Sequence, residues 1–401
     1  MHRVSCWLCL FLAPAVCGAG EPSPDSGWKR IVLDKTFRSE GVAAADVDRD
    51  GKIDVLAGDV WYKAPDWTMH EIRPVGQYQF DKGYSQSFAN WAYDVNADGW
   101  DDLIVVGFPG APCHWYENPQ NAPGHWKENV IWHSACNETP LFTDITGDGK
   151  PELVLGSQPE AQVGFLPLPA SGKAAEKWTF HAVGQPGDPA KNGSHRFYHG
   201  LGAGDVNRDG RTDVLIPHGW WQAPQERTQG PWEFHPWTLS RSGKGNSLPA
   251  ANMFVDDLDL DGDCDVLMSN THSYGIWWFE QVKANGGRRF EYHLIDESYS
   301  QTHALEYVDL NGDGRRELVT GKRFYAHQGH DPGGKEPVVM YWYEVKRTKG
   351  SPPAFVPHEI AAGRDTGIGT QFEVIDVNGD ERPDIVLSNK KGVNVLVQVG
   401  K

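Results

Sequence analysis

The chain has 401 residues, among them 45 glycines, 27 prolines and 11% aromatics, and a formal charge of −17. So many turn formers argue for a single large all-β domain, the aromatics supply a sizeable core, and the acidity excludes a nucleic-acid surface built on basic residues. Beyond residue 20 no stretch offers the roughly 18 apolar residues that a spanning helix needs, so a membrane-spanning protein is not expected.

The first 20 residues read as a secretory signal, with Arg3, an apolar run from Val4 to Val16 and the small residues Gly18, Ala19 and Gly20 before Glu21. Export to the periplasm or beyond is the expectation. It leaves a short linker at 21–26 and one domain over 27–401. Cys6, Cys9 and Cys17 lie in the signal, and Cys113, Cys136 and Cys264 remain. Export permits a disulfide, with Cys113 and Cys136 as the pair it would join; three reduced, buried thiols are the open alternative.

A strand is expected in "GWKRIVLDK" at 27–35, followed by "DVDRDGKIDVL" at 46–56. There Asp46, Asp48, Asp50 and Asp54 stand at positions 1, 3, 5 and 9 of a loop that turns at Gly51. Oxygen donors so spaced suit a hard cation such as Ca²⁺. No closing Glu and no helix follow, and Ile53, Val55 and Leu56 read as a buried strand instead. The pattern returns six times: Asp94, Asn96, Asp98 and Asp102; Asp144, Thr146, Asp148 and Glu152; Asp205, Asn207, Asp209 and Asp213; Asp257, Asp259, Asp261 and Asp265; Asp309, Asn311, Asp313 and Glu317; Asp376, Asn378, Asp380 and Asp384. The copies are 48, 50, 61, 52, 52 and 67 residues apart, room for about four short strands each, which is the period of a propeller blade.

Between loops, aromatic clusters such as Trp61-Tyr62, Trp115-Tyr116, Trp220-Trp221, Trp277-Trp278 and Trp342-Tyr343 mark third strands. An aromatic residue three before a His or Asn marks outer strands, as in Trp67/His70, Trp126/Asn129, Trp178/His181, Trp232/His235, Phe290/His293 and Phe355/His358. Six outer strands are counted for seven units. The strand at 27–35 is expected to supply the missing one beside the C-terminal blade and close the ring. The fold expected is a seven-bladed β-propeller with a calcium loop in every blade.

These repeats resemble the FG-GAP/VCBS repeat family, whose seven-bladed propellers are of the integrin-alpha type. The resemblance implies Ca²⁺, up to seven ions, at positions 1, 3, 5 and 9 of each loop with a carbonyl from position 7. Seven such ions would bring the charge from −17 to −3. Two copies depart from the pattern, with Thr146 at position 3 and Glu381 in place of the turn glycine.

Function is sought where the repeats differ. Six residues before each loop stand Glu40, Phe88, Glu138, His199, Ala251, His303 and Thr370. The innermost strand runs toward its loop, so these residues should ring the opposite mouth of the channel. The connections after second strands return there with Gln158, His218, His272, Asn389, Lys390 and the run "GKRFYAHQGHDPGG", which holds Lys322, Arg323, His327 and His330. Glu138, His199 and His303 are the candidate ligands of Zn²⁺ or another divalent metal. His199, His303, His327, His330, Tyr198, Arg323 and Lys322 are the candidate catalytic set. His70, His181, His235, His293 and His358 repeat at one blade position and read as structural.

Aromatic residues stack on sugars, His or Tyr can take a proton beside a carbonyl, and Lys, Arg or a metal can stabilise the resulting charge. The loop and repeats are also similar to the propeller part of aldos-2-ulose dehydratases, which implies dehydration of keto-sugars, although the cupin domains of those enzymes are absent here. Two readings remain: a carbohydrate lyase or dehydratase working by β-elimination, and a non-catalytic adhesion module for glycan or protein. In both the partner is extracellular carbohydrate or protein, and a monomer is expected.

Overall fold

The computed structural model describes residues 27–170, 172–284 and 287–400. The signal and linker readings at 1–26 lie outside them. Among the described residues strands dominate, and helix is confined to a four-residue turn at Pro189–Asn192 and two short 3₁₀ turns. None of these is long and apolar enough to cross a membrane.

Five sheets have four antiparallel strands each. In each the innermost strand is short and the next is almost wholly buried, as in Ala43–Ala45 beside Asp54–Ala57, or Leu305–Val308 beside Glu317–Gly321. Continuous apolar runs such as "DLIVV" at Asp102–Val106 fit strands covered on both faces. The remaining eight strands form one sheet. Two antiparallel groups of four within it are joined by parallel pairing of Leu201 with Asn252 and Gly202 with Met253. Seven separate blades are therefore not found: five stand alone, and the units around the fourth and fifth loops are fused. A β-carbon on Gly202 would lie 2.4 Å from the Met253 carbonyl oxygen, so only glycine lets these inner strands approach closely enough to bond.

Strand Trp28–Asp34 pairs antiparallel with Gly392–Gln398, setting Ile31 opposite Val395, and is the outer strand of the C-terminal sheet. Core clusters lie between successive sheets rather than inside any one of them. Val42, Ala44 and Val55 of the first sheet pack with Val386, Val393 and Val395 of the last. The outer-strand histidines stack on third-strand aromatics, with ring centroids 4.4 Å apart for Trp61/His70, 4.5 Å for Trp220/His235, 4.2 Å for Trp278/His293 and 4.0 Å for Trp342/His358. Their packing role follows from this contact. Among the described residues the three cysteines, Cys113, Cys136 and Cys264, are free and buried, so the Cys113–Cys136 disulfide is not present. Cys113 lies in the core with Trp115 and Ile131, while the Cys136 thiol lies 3.7 Å from the Ser134 hydroxyl.

Candidate functional site

The loops share one backbone design. The carboxylate at position 1 accepts the amides of positions 5 and 6, as Asp46 does from Asp50 (3.0 Å) and Gly51 (2.9 Å) and Asp205 from Asp209 (3.0 Å) and Gly210 (2.8 Å). Position 9 is buried and accepts the amide of position 2: Asp54 from Val47, Asp102 from Val95, Asp265 from Leu258. Glu381 takes the turn with φ +66° and still donates its amide to Asp376, so the departure from glycine is accommodated. Oxygens of Asp46, Asp48 and Asp50 lie within 4.8 Å of one another, as do those of Asp144, Asp148 and Glu152 and those of Asp257, Asp259 and Asp261. In the first loop the Lys63 ammonium pairs with Asp48 and lies 3.0 Å from Asp50, a side-chain cation standing where the carboxylates converge. The donor set fits Ca²⁺.

At the other end of the inner strands, residues from distant repeats meet. Glu138 donates its amide to the Tyr198 carbonyl (3.0 Å), which brings Glu138 beside His199. The His303 and Arg323 amides both bond the carbonyl of Gln301, a residue held at φ +61°. The result is a triangle: His199 Nε2 to His303 Nε2 is 3.0 Å, His303 Nε2 to Glu138 Oε2 3.3 Å, and His199 Nε2 to Glu138 Oε2 3.5 Å. The three side chains are 12%, 0% and 7% exposed, too enclosed for bulk water to screen them. Arg323 links Glu138 (3.7 Å) to Glu40 (3.2 Å), so five residues from four repeats are in one network.

Burial alone would raise the Glu138 carboxyl, but the neighbouring imidazoles outweigh it and hold the group well below the usual range, so it is an anion. His303 is pushed well below its ordinary value by burial, with Arg323 adding and Glu138 opposing, so its imidazole is neutral. Lys390 is pulled by burial to about 8. Its ammonium lies 4.1 Å from the Tyr84 ring centroid, and the Arg323 guanidinium lies 5.4 Å from the same ring. Tyr84 is raised by burial and accepts the His327 amide (3.0 Å). Around it runs an aromatic surface of Phe88, Phe108 and Phe197 on one side and Phe80, Phe324 and Tyr325 on the other. Phe80 and Phe197 are exposed at 45% and 42%, so flat apolar faces remain open for a ligand.

The other expected residues are placed unequally. His327 reaches Asp331 (3.0 Å), its ring is tilted against that of His272 with centroids 4.4 Å apart, and the His272 ring in turn is 4.7 Å from that of His199. His330 is exposed and its amide bonds the His327 carbonyl. Lys322 is turned inward, its ammonium spent on Ser300 (2.8 Å), Gln301 (2.9 Å) and the Gly333 carbonyl (2.7 Å), so it anchors a loop instead of facing the mouth. Tyr198 likewise joins the core between the third and fourth units and bonds His218 (2.8 Å). Tyr84 and Asp331 join the site without having been singled out from sequence, while Glu40, His272 and Lys390 had been placed at the mouth but in neither the catalytic nor the metal set. Glu40 lay on the same six-before ring and could have been chosen; Tyr84 sits in the irregular 75–88 stretch, where no repeat register exists to find it.

Below the triangle a cavity of about 20 Å³ is lined by Glu138, Asn252, Glu306, Thr370 and Gln371. Glu306 and Glu373 titrate near 8 and 7, raised by burial, with Glu373 acting on Glu306. A groove of about 1210 Å³ between Trp220, Trp237, Arg289 and Tyr292 shares no residue with this cluster.

Residues 94–157 and 257–320 match the family described as FG-GAP-like repeat. No curated protein matches the chain. Among solved structures it is similar to the exotype rhamnogalacturonan lyase YesX (13% identity, 93% of this chain, 73% of that one, TM-score 0.48) and to a Bacillus licheniformis rhamnogalacturonan lyase (14%, 93%, 75%, 0.45). It is similar also to an Agrocybe aegerita lectin described as recognising non-reducing terminal N-acetylglucosamine (15%, 84%, 81%, 0.44). The chain thus carries FG-GAP-like repeats within an all-β, propeller-like arrangement of sheets.

Proposed function

We propose that the protein is an exported, calcium-binding propeller that acts on carbohydrate at the channel mouth by β-elimination, with a divalent transition metal held by Glu138, His199 and His303. The observation that carries the reading is the triangle. For metal–ligand bonds of about 2.0–2.1 Å, neighbouring ligands of a tetrahedral ion are roughly 3.3–3.4 Å apart, and the three edges are 3.0, 3.3 and 3.5 Å. One anionic carboxylate and two imidazoles, one of them held neutral, form a donor set suited to Zn²⁺.

A bound ion there supplies positive charge to a substrate carbonyl or carboxylate oxygen. This chain's residues do the rest. Arg323, locked between Glu40 and Glu138, fixes the carboxylate ligand. Exposed Phe80 and Phe197 offer faces on which sugar rings stack. Lys390, near 8, takes the proton from the carbon beside the carbonyl; the electron pair forms the double bond as the carbon–oxygen bond breaks, and protonated Tyr84 supplies the leaving oxygen's proton.

The products absorb in the ultraviolet, so oxidised sugars and acidic polysaccharides are screened for rising absorbance. His199→Ala and His303→Ala are each expected to cut the rate by roughly a hundredfold, and His70→Ala, in an outer strand, to leave it unchanged. A broad screen without turnover, together with saturable glycan binding indifferent to both mouth substitutions, would establish the adhesion reading instead.

A further inference from the structure

We propose that His272, His327 and Asp331 hold a second divalent metal ion beside the first. One ligand atom from each lies within 4.8 Å of the others, and His272 also belongs to a group of that size with His199 and His303. The residues come from two connections: the turn at 270–275, whose Asn270 carboxamide oxygen accepts the His272 (3.1 Å) and Ser273 (3.0 Å) amides, and the loop after Arg323.

Hydrogen bonding accounts for the His327–Asp331 contact but not for that between His272 and Asp331. His272 Nδ1 is 3.3 Å from Asp331 Oδ2, yet it is buried and makes no hydrogen bond, because the contact is off-axis. An off-axis approach near 3.3 Å is what two ligands of one ion show, since their lone pairs aim at the ion and not at each other. His327 Nδ1 lies 3.0 Å from the other oxygen, Asp331 Oδ1. The carboxylate is oriented from behind as metal ligands usually are: Gln301 donates to Oδ2 (3.1 Å) and is itself fixed by Lys322 (2.9 Å). This gives buried Lys322 a positioning role at a distance. His272 also lies within reach of His199 and His303, so the two sites adjoin, and as a neutral imidazole with one free lone pair it would ligate the second ion alone. Such a pair suits a substrate presenting two anionic or carbonyl oxygens, such as a uronate or a keto-sugar.

The inference deepens the proposed mouth site and rests on it for its substrate, while the ion itself is testable alone. Co²⁺ is titrated into the whole exported chain with excess Ca²⁺ filling the loops, and bound cobalt is counted by elemental analysis and visible absorption. Two equivalents are expected in the parent, one in Asp331→Asn, and one of different spectrum in Glu138→Gln. His327→Ala, on an exposed side chain, should act as Asp331→Asn does without disturbing folding, and Gln301→Leu should weaken the second equivalent by roughly 10–100-fold. A parent that binds one ion unaffected by Asp331→Asn overturns the second site and leaves the first. One ion lost in Asp331→Asn but kept in Glu138→Gln supports the second site and removes the first.

Discussion

Replacing Arg323 with Met tests whether the mouth is an electrostatic network in its own right. The guanidinium is 1% exposed and lies 3.2 Å from Glu40 and 3.7 Å from Glu138. At an effective dielectric near 20, each contact is worth about 4–5 kcal/mol before desolvation. What a measurement reads is smaller. Breaking a buried pair leaves uncompensated charge and costs about 3–5 kcal/mol, which at about 2 °C per kcal/mol for a chain of this size is a fall of about 6–10 °C in Tm. Chelated protein followed by circular dichroism isolates this effect from any metal. The sign with pH is fixed. Glu138, depressed in the parent, contributes stability above its unfolded value near 4.5 and loses it as pH falls through its lower folded value. In the variant Glu40 and Glu138 lose a buried counter-charge while Glu138 keeps its two imidazoles, so the deficit is largest at pH 8 and shrinks toward pH 5 as protons taken up by the cluster replace the lost charge. Lys127→Met removes a pair with Glu117 that is mostly exposed and should cost within about 1 kcal/mol. A fall in Arg323→Met no larger than that control, or one independent of pH, would refute the network.

Excess chelator should lower Tm by about 10 °C or more, because ions bound only to the native state stabilise by mass action; an unchanged curve removes the calcium reading. Deleting 27–35 uncovers the edge of Gly392–Gln398, and the shortened protein should aggregate or melt earlier; a monomer of parental stability would show that this strand closes nothing. The rate should rise with pH through about 8 as Lys390 loses its proton, and Lys390→Arg should lose roughly a hundredfold; a flat profile from pH 7 to 9 excludes it as the base. Glu306, raised to about 8, keeps a proton that the unfolded chain gives up near 4.5, so its penalty grows across that window and is complete above 8. Glu306→Gln should therefore match the parent's Tm at pH 5 and exceed it at pH 8.5; a gain at pH 5 as large as at pH 8.5 would show that titration is not its cause.

The strands were legible because the acidic turns recur at fixed offsets and cannot be anything but turns. Fusion of two units was not, because it depends on how close two inner strands come, and Gly202 announces that only when Met253 is seen opposite it. The triangle was legible for a geometric reason: a residue six before each loop sits at one height on the inner strand, so Glu138, His199 and His303 converge despite separations of up to 165 residues. Connections lack that register. Lys322 and Arg323 are adjacent, yet one is spent on Ser300, Gln301 and Gly333 and the other on Glu40 and Glu138, and nothing in "GKRF" says which faces the channel.

Charge accounting leads to the same centre by a separate route. Glu40 and Glu138 share one guanidinium, and His303 is neutral, so one buried negative charge is left for Lys390, a cation below about pH 8 that interacts with Glu40, for His199 or for an added cation to balance. Asp331 makes ion-pair contacts, among the described residues, with His272 and His327, and His272 is pushed to about 4, chiefly by burial, with His199 and His327 adding. Lys322 lies within electrostatic reach of it but is bonded to neutral acceptors. An uncompensated charge in so enclosed a place costs several kcal/mol. Protonating His199 and His327 would cover both deficits only by placing two imidazolium ions around a shared neighbour, His272, whose own neutrality their repulsion enforces. Two divalent ions more than cover both deficits with every imidazole neutral, as metal ligation requires, and the surplus positive charge is left for an anionic substrate.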